Sequence, residues 1–183
     1  MKTLVLYYSN NGSNRYLAQK IARAIEGDIE PLRPRMNAFL ILLLFSALKK
    51  SMGIAKIKHD PGEYDRVILC GPIWMGLLIS PLRDMLNAYG PRIKKFWFAT
   101  CCGSTDAGKD QKFGYGTVFP KIRELIGDRC VHCEAFPIAL VLPENTPKDS
   151  NLIMKTRLSD DTFDGPIRER VDIFIKNIKE ERI

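Results

Sequence analysis

Four consecutive apolar residues, Val67-Ile68-Leu69-Cys70, narrow the fold more than anything else in the chain. A strand with one face in water alternates apolar and polar residues. A run without alternation belongs to a strand covered on both faces, as in parallel sheets flanked by helices. Similar stretches occur at Thr3–Tyr8, Phe96–Thr100 and Ala135–Leu142, and Asp28–Leu32 reads as a short edge strand closed by Pro31 and Pro34. Between them, apolar residues recur every three or four positions: Leu17, Ala18, Ile21 and Ala22; then Leu82, Met85, Leu86 and Tyr89. Val118, Ile122, Leu125 and Ile126 mark a further helix, and Ile167, Val171, Phe174 and Ile178 a closing one. Strands alternating with helices predict an α/β fold: a doubly wound parallel sheet with right-handed crossovers. Ligands of such sheets sit beyond the carboxyl ends of the strands, where strand order reverses.

The 183 residues fit a single domain over 1–183, without internal repeats. Apolar content of 45% and charged content of 27% exclude a disordered chain. The longest apolar run, Ala38–Phe45, is far shorter than a membrane span, and no signal peptide is read at Met1-Lys2, so a cytoplasmic location is expected. Five cysteines, an odd number, are expected as free thiols. The formal net charge is +7. It is scattered, without an arginine-rich tract, which speaks against nucleic acid and leaves an anionic cofactor, substrate or membrane surface.

Two segments depart from the regular alternation. Residues 37–53 contain an inserted apolar helix, expected over Ala38–Lys50, capped by Asn37 and stopped by Gly53. It is expected to be buried against the sheet or a second copy, making a homodimer, with membrane-surface contact as the other reading. Residues 143–164 form an irregular polar excursion, either a lid or a plain surface loop.

Three loops leave strand ends with unusual chemistry. Ser9-Asn10-Asn11-Gly12-Ser13-Asn14 opens the first helix, where unpaired N–H groups and the helix dipole attract an anion. Gly12 allows close backbone approach, and Ser9, Asn11, Ser13 and Asn14 can donate; no Lys or Arg lies within the six. Gly71-Pro72-Ile73-Trp74-Met75-Gly76 places an aromatic residue just past the third strand, ahead of a helix begun by Ser80-Pro81. Thr100-Cys101-Cys102-Gly103 starts a long loop through Gly116, and such loops are usually functional.

On these three motifs the chain resembles the flavodoxin-like FMN-binding proteins. Their phosphate loop is similar to Ser9–Asn14, with Asn11 and Asn14 where hydroxyl residues are usual. Their ring-contacting loops are similar to Pro72, Ile73, Trp74, Met75 and Gly76 on one flank and Thr100, Cys101, Cys102 and Gly103 on the other. The resemblance covers roughly residues 1–142 and the last helix, and segment 37–53 resembles an extra helix found in other members. It implies a three-layer, five-stranded parallel sheet of order 2-1-3-4-5, with FMN as cofactor. It further implies an oxidoreductase of the NAD(P)H:quinone type, moving electrons from NAD(P)H or a redox protein to a small acceptor such as a quinone. A flavodoxin-type carrier and an FMN-free regulatory domain are the alternatives. Flavodoxin carriers are acidic, whereas nearby positive charge stabilises reduced anionic flavin, so the +7 balance points to two-electron chemistry.

Other motifs carry less. Cys130-Val131-His132-Cys133 lacks the second ligand pair of a zinc site and reads as a helix-to-strand corner. Gly114–Phe119 lacks the last glycine of a dinucleotide fingerprint. Tyr115 and Lys112 are candidates to cover a bound ring. His59 reads as a surface residue, and no metal site or general acid or base is assigned.

Overall fold

The protein is described from a computed structural model that covers residues 1–143, 146 and 149–181. Within the expected excursion over 143–164, residues 144, 145, 147 and 148 lie outside the described residues. Five parallel strands form the main sheet: β1 (Thr3–Tyr7), β2 (Asp28–Pro31), β3 (Arg66–Cys70) and, after a small ribbon of β4 (Ile73–Trp74) and β5 (Leu77–Leu78), β6 (Phe96–Cys102) and β7 (Cys130–Pro137). The order is β2-β1-β3-β6-β7, which is 2-1-3-4-5 once the two ribbon strands are left out of the count. The chain winds outward from β1 to β2 and then returns to β3 on the other side. The switch point therefore lies between β1 and β3.

Side-chain alternation sorts the sheet into two cores. Leu4, Leu6, Val67, Leu69, Phe96 and Phe98 face α3 (Ser80–Tyr89) and α4 (Phe119–Ile126). Val5, Ile68, Cys70, Trp97 and Ala99 face α1 (Ser13–Ala24) and α6 (Gly165–Glu180). All five residues of β3 are buried, as its unbroken apolar run requires. The result is the expected three-layer sandwich.

Five local expectations are corrected. The fifth strand begins at Cys130 rather than Ala135 and ends at Pro137, followed by a 3-10 turn over Ile138–Val141. The Cys130–Cys133 segment is thus the opening of β7, not a corner. Its pairing with β6 slips between Phe96 and Trp97, which face Cys130 and His132 respectively. That irregularity leaves Val131 unpaired and turns residues three apart onto one face, so the two sulfurs lie 3.6 Å apart. The inserted helix is also shorter than expected: α2 spans Phe39–Ala47, and the chain leaves it through Lys49 at φ 53° before reaching Gly53. Asn37 does not cap it; its side-chain oxygen accepts from the Tyr8 hydroxyl at 2.8 Å, and Ala38 takes the cap position. Nor is α2 buried in a core layer. Only Leu42 and Ser46 are buried, against α3.

Candidate functional site

A cavity of about 450 Å³ opens at the carboxyl ends of β1, β3 and β6, at the switch point. Small-ligand sites range from roughly 300 to 1,000 Å³. Its first wall is the loop between β1 and α1, through Asn10, Asn11, Ser13 and Asn14. The loop is pre-shaped by its own side chains. Ser9 Oγ accepts from the Gly12 amide at 3.0 Å and Asn11 Oδ1 from the Ser13 amide at 3.1 Å. Gly12 sits at φ 95°, a conformation that L side chains rarely adopt, with open space above it. Asn14 lines the cavity, yet its amide is engaged: Nδ2 donates to Cys101 O and Oδ1 accepts from Cys101 N, at 3.0 and 2.8 Å. The asparagine therefore ties α1 to β6. Ser13 Oγ accepts from the Leu158 amide at 3.1 Å. Among the described residues, the amides of Asn14 and Arg15 in the first turn have no hydrogen-bond partner, and they supply the anion-seeking donors.

The second wall is the ribbon, through Pro72, Ile73, Trp74 and Met75. Its two-residue turn, Met75-Gly76, has positive φ at both positions (51° and 69°), the geometry that matches the twist of paired strands. Trp74 is half-buried, with its ring centroid 6.4 Å from Tyr8 and 4.8 Å from Phe39. The third wall is Cys101, Cys102 and Gly103. Burial pushes the Cys101 thiol upward and that of Cys102 up to about 12, so both stay protonated packing groups at neutral pH.

Ten of the fourteen residues expected at the site line this cavity. Ser9, Gly12, Gly76 and Thr100 do not. Ser9 and Gly12 shape the loop, Gly76 makes the ribbon turn, and Thr100 is fully buried in β6. Tyr115 and Lys112 do not reach the cavity either. The Tyr115 hydroxyl donates to Asp106 at 2.5 Å, and Arg170 of α6 holds the same carboxylate at 2.8 Å. The long loop after β6 is thereby fastened to the closing helix.

Two walls escaped the sequence. Phe39 and Leu43 of α2 form one, and Ile153, Met154, Thr156 and Arg157, in and just after α5 (Ser150–Lys155), the other. Arg157 is the one cation lining the cavity among the described residues; its guanidinium donates to the carbonyls of Met154 and Thr156. The signal was the apolar run Leu152-Ile153-Met154, with Arg157 close behind it, inside a stretch that is mostly polar.

No protein-family model and no curated protein matches the chain. Solved structures do. A Bacteroides eggerthii chain assigned as a flavoprotein superposes with a TM-score of 0.61 at 20% identity, over 84% of this chain and 93% of its own. A Lactobacillus acidophilus flavoprotein solved in complex with FMN gives 0.59 at 20% identity, over 73% and 92%. An NAD(P)H:quinone oxidoreductase from Methanothermobacter marburgensis gives 0.54 at 13% identity, over 100% and 99%.

The fold is flavodoxin-like.

On this flavodoxin-like frame the residues suit a flavin mononucleotide. A phosphate needs the open amides at the start of α1, and a flat ring needs the aromatic wall of Trp74 beside backbone groups. The loop itself has no cation, and Arg157, whose neighbour Leu158 is bonded to Ser13, lines the same cavity.

Proposed function

We propose that the protein is an FMN-dependent oxidoreductase that passes electrons from NAD(P)H to a small acceptor such as a quinone. The observation that carries this reading is the cavity itself, with α1 amides at one end and an aromatic wall at the other. FMN would supply the redox chemistry, and the chain supplies placement and electrostatics. Asn10, Asn11 and the first-turn amides would hold the phosphate, with Arg157 adding charge. Trp74 and Phe39 would exclude water from one side of the ring, and the backbone at Cys101–Gly103 would address its polar edge. Support for two-electron chemistry comes from the net charge of +7, because positive charge favours the reduced anionic cofactor.

Anaerobic stopped-flow mixing of the FMN-loaded protein with NADPH or NADH tests the assignment. Bleaching of the flavin band, followed by reoxidation on adding a quinone, is expected. A flavin that stays oxidised until a redox protein is added would make the molecule a carrier instead.

A further inference from the structure

Helix α2 is turned inside out for a soluble element. Its inner face holds a serine: Ser46 Oγ accepts from the Ser80 amide at 2.8 Å and donates to Leu42 O. Its outer face is a ridge of aliphatic residues four apart, Leu40, Leu44 and, at the C-terminal cap, Leu48, of which Leu40 is 76% exposed and the others about half. The two ends of the segment are tied to each other, and its C-terminal side is fastened to α3. Arg35 N donates to Gly53 O, Asp84 Oδ2 accepts from the Met52 and Gly53 amides, and Arg83 donates to Lys50 O at 2.6 Å. The ridge is therefore a fixed feature of the surface.

Along the segment that carries it, the charge has one sign. Residues 33–58 contain six cations, Arg33, Arg35, Lys49, Lys50, Lys56 and Lys58, and no Asp or Glu. All six are exposed, and none is ion-paired among the described residues. With the net charge at +7, the rest of the chain carries only +1. A second copy on this ridge would bring two such cationic rims together, which like-charge repulsion disfavours. Lipid fills around any such ridge, and anionic headgroups neutralise its rim. No described helix is long and apolar enough to cross a membrane, so contact is with the surface.

We infer that residues 33–58 dock the protein on an anionic membrane surface, with Leu40 and Leu44 dipping into the acyl boundary. Phe39 and Leu43 of the same helix line the cavity, so docking sets the mouth of the site against the lipid. Taken with the proposed reductase activity, on which this last step rests, the acceptor is a membrane-dissolved quinone.

Co-sedimentation of the whole protein, with and without FMN, on phosphatidylcholine vesicles and on vesicles containing about a third phosphatidylglycerol tests this. Binding to the anionic vesicles alone, reversed by salt, is expected. Leu40→Ser with Leu44→Ser should abolish it. Lys49→Gln with Lys50→Gln should weaken it on the order of thirtyfold, about fivefold per charge. These side chains are exposed, so circular dichroism and the melting temperature should not change. The inference is overturned if the wild type stays in the supernatant with every vesicle, or if the double serine variant binds as well as wild type. It also fails if sedimentation velocity shows a dimer that the serine variant dissociates, because a second copy then covers the ridge. Vesicle binding without FMN uptake upholds the docking and removes only the quinone assignment.

Discussion

Met75 holds a left-handed backbone conformation at the tip of the ribbon, φ 51°, and half of its side chain stays in solvent at the mouth of the cavity. A non-glycine residue there is strained by an amount on the order of 1–3 kcal/mol, and the neighbouring pairing of β4 with β5 holds it in place. The reward is the placement of Trp74 as a wall. Trp74→Ala should weaken FMN binding roughly five- to tenfold, the scale of a lost aromatic stack, while the fold persists; fluorescence titration reads this, and unchanged affinity would put the ring elsewhere. The cysteines separate in a different way. Burial raises Cys70, Cys101 and Cys102, whereas the hydrogen bond shared by the Cys130 and Cys133 thiols, 3.6 Å apart, pulls Cys130 down and pushes Cys133 up. Cys130 should therefore be the first thiol alkylated by iodoacetamide near neutral pH, and Cys133→Ser should slow it; peptide mapping that finds Cys101 or Cys102 first would contradict this. The sequence alone could not show that pairing. Cysteines three apart point to opposite faces of a regular strand, and only the slipped register with β6 brings them together.

At the level of elements, the core strands and helices were legible because burial imposes periodicity. The unbroken run of β3 and the three-to-four spacing of α1, α3, α4 and α6 follow directly from which faces are covered. The position of α2 was not legible. A helix apolar on every side predicts burial, and nothing local announces that Ser46 is its inner face. The role of α5 was hidden for a related reason: a short helix in a polar stretch shows no period, and its place beside the cavity depends on long-range contacts such as Leu158 N to Ser13 Oγ. The return from the α2 excursion is fixed by Glu30 of β2, whose carboxylate accepts from the amides of Lys58 and His59 and from the His59 ring. His59 is thus part of an anchor and not a bare surface residue. Burial alone would raise the Glu30 pKa, but those donors outweigh it and leave it below its ordinary value. A lowered carboxylate pKa contributes stability that is present above about pH 4.3 and is lost as pH falls through the folded-state value. Glu30→Gln should destabilise the protein by about 1–3 kcal/mol at neutral pH, since an amide nitrogen then faces a donor. Urea melts should show that gap closing in acid; a gap independent of pH would mean that the carboxylate charge is not what holds the segment.

Over the whole molecule, the sheet order puts three sequence-distant loops at one edge, and α2 and α5 close the space between them. The three loops were readable because each sits next to a strong strand signal. The roles within them were less so, because a residue type shows that it can donate but not that its capacity is already used. Asn14 illustrates this: its amide is spent on Cys101, which leaves the first-turn backbone amides as the donors without a partner among the described residues. In the proposed complex a phosphate docks on the start of α1 while the ring lies along Trp74. Parallel fluorescence-quenching titrations with FMN and with riboflavin, which lacks the phosphate, test it most directly. Saturable one-to-one quenching by FMN is expected, with an affinity at least roughly tenfold above that for riboflavin, the scale of charge-assisted hydrogen bonds to the phosphate. Equal affinity for the two, or no quenching by either, would contradict it.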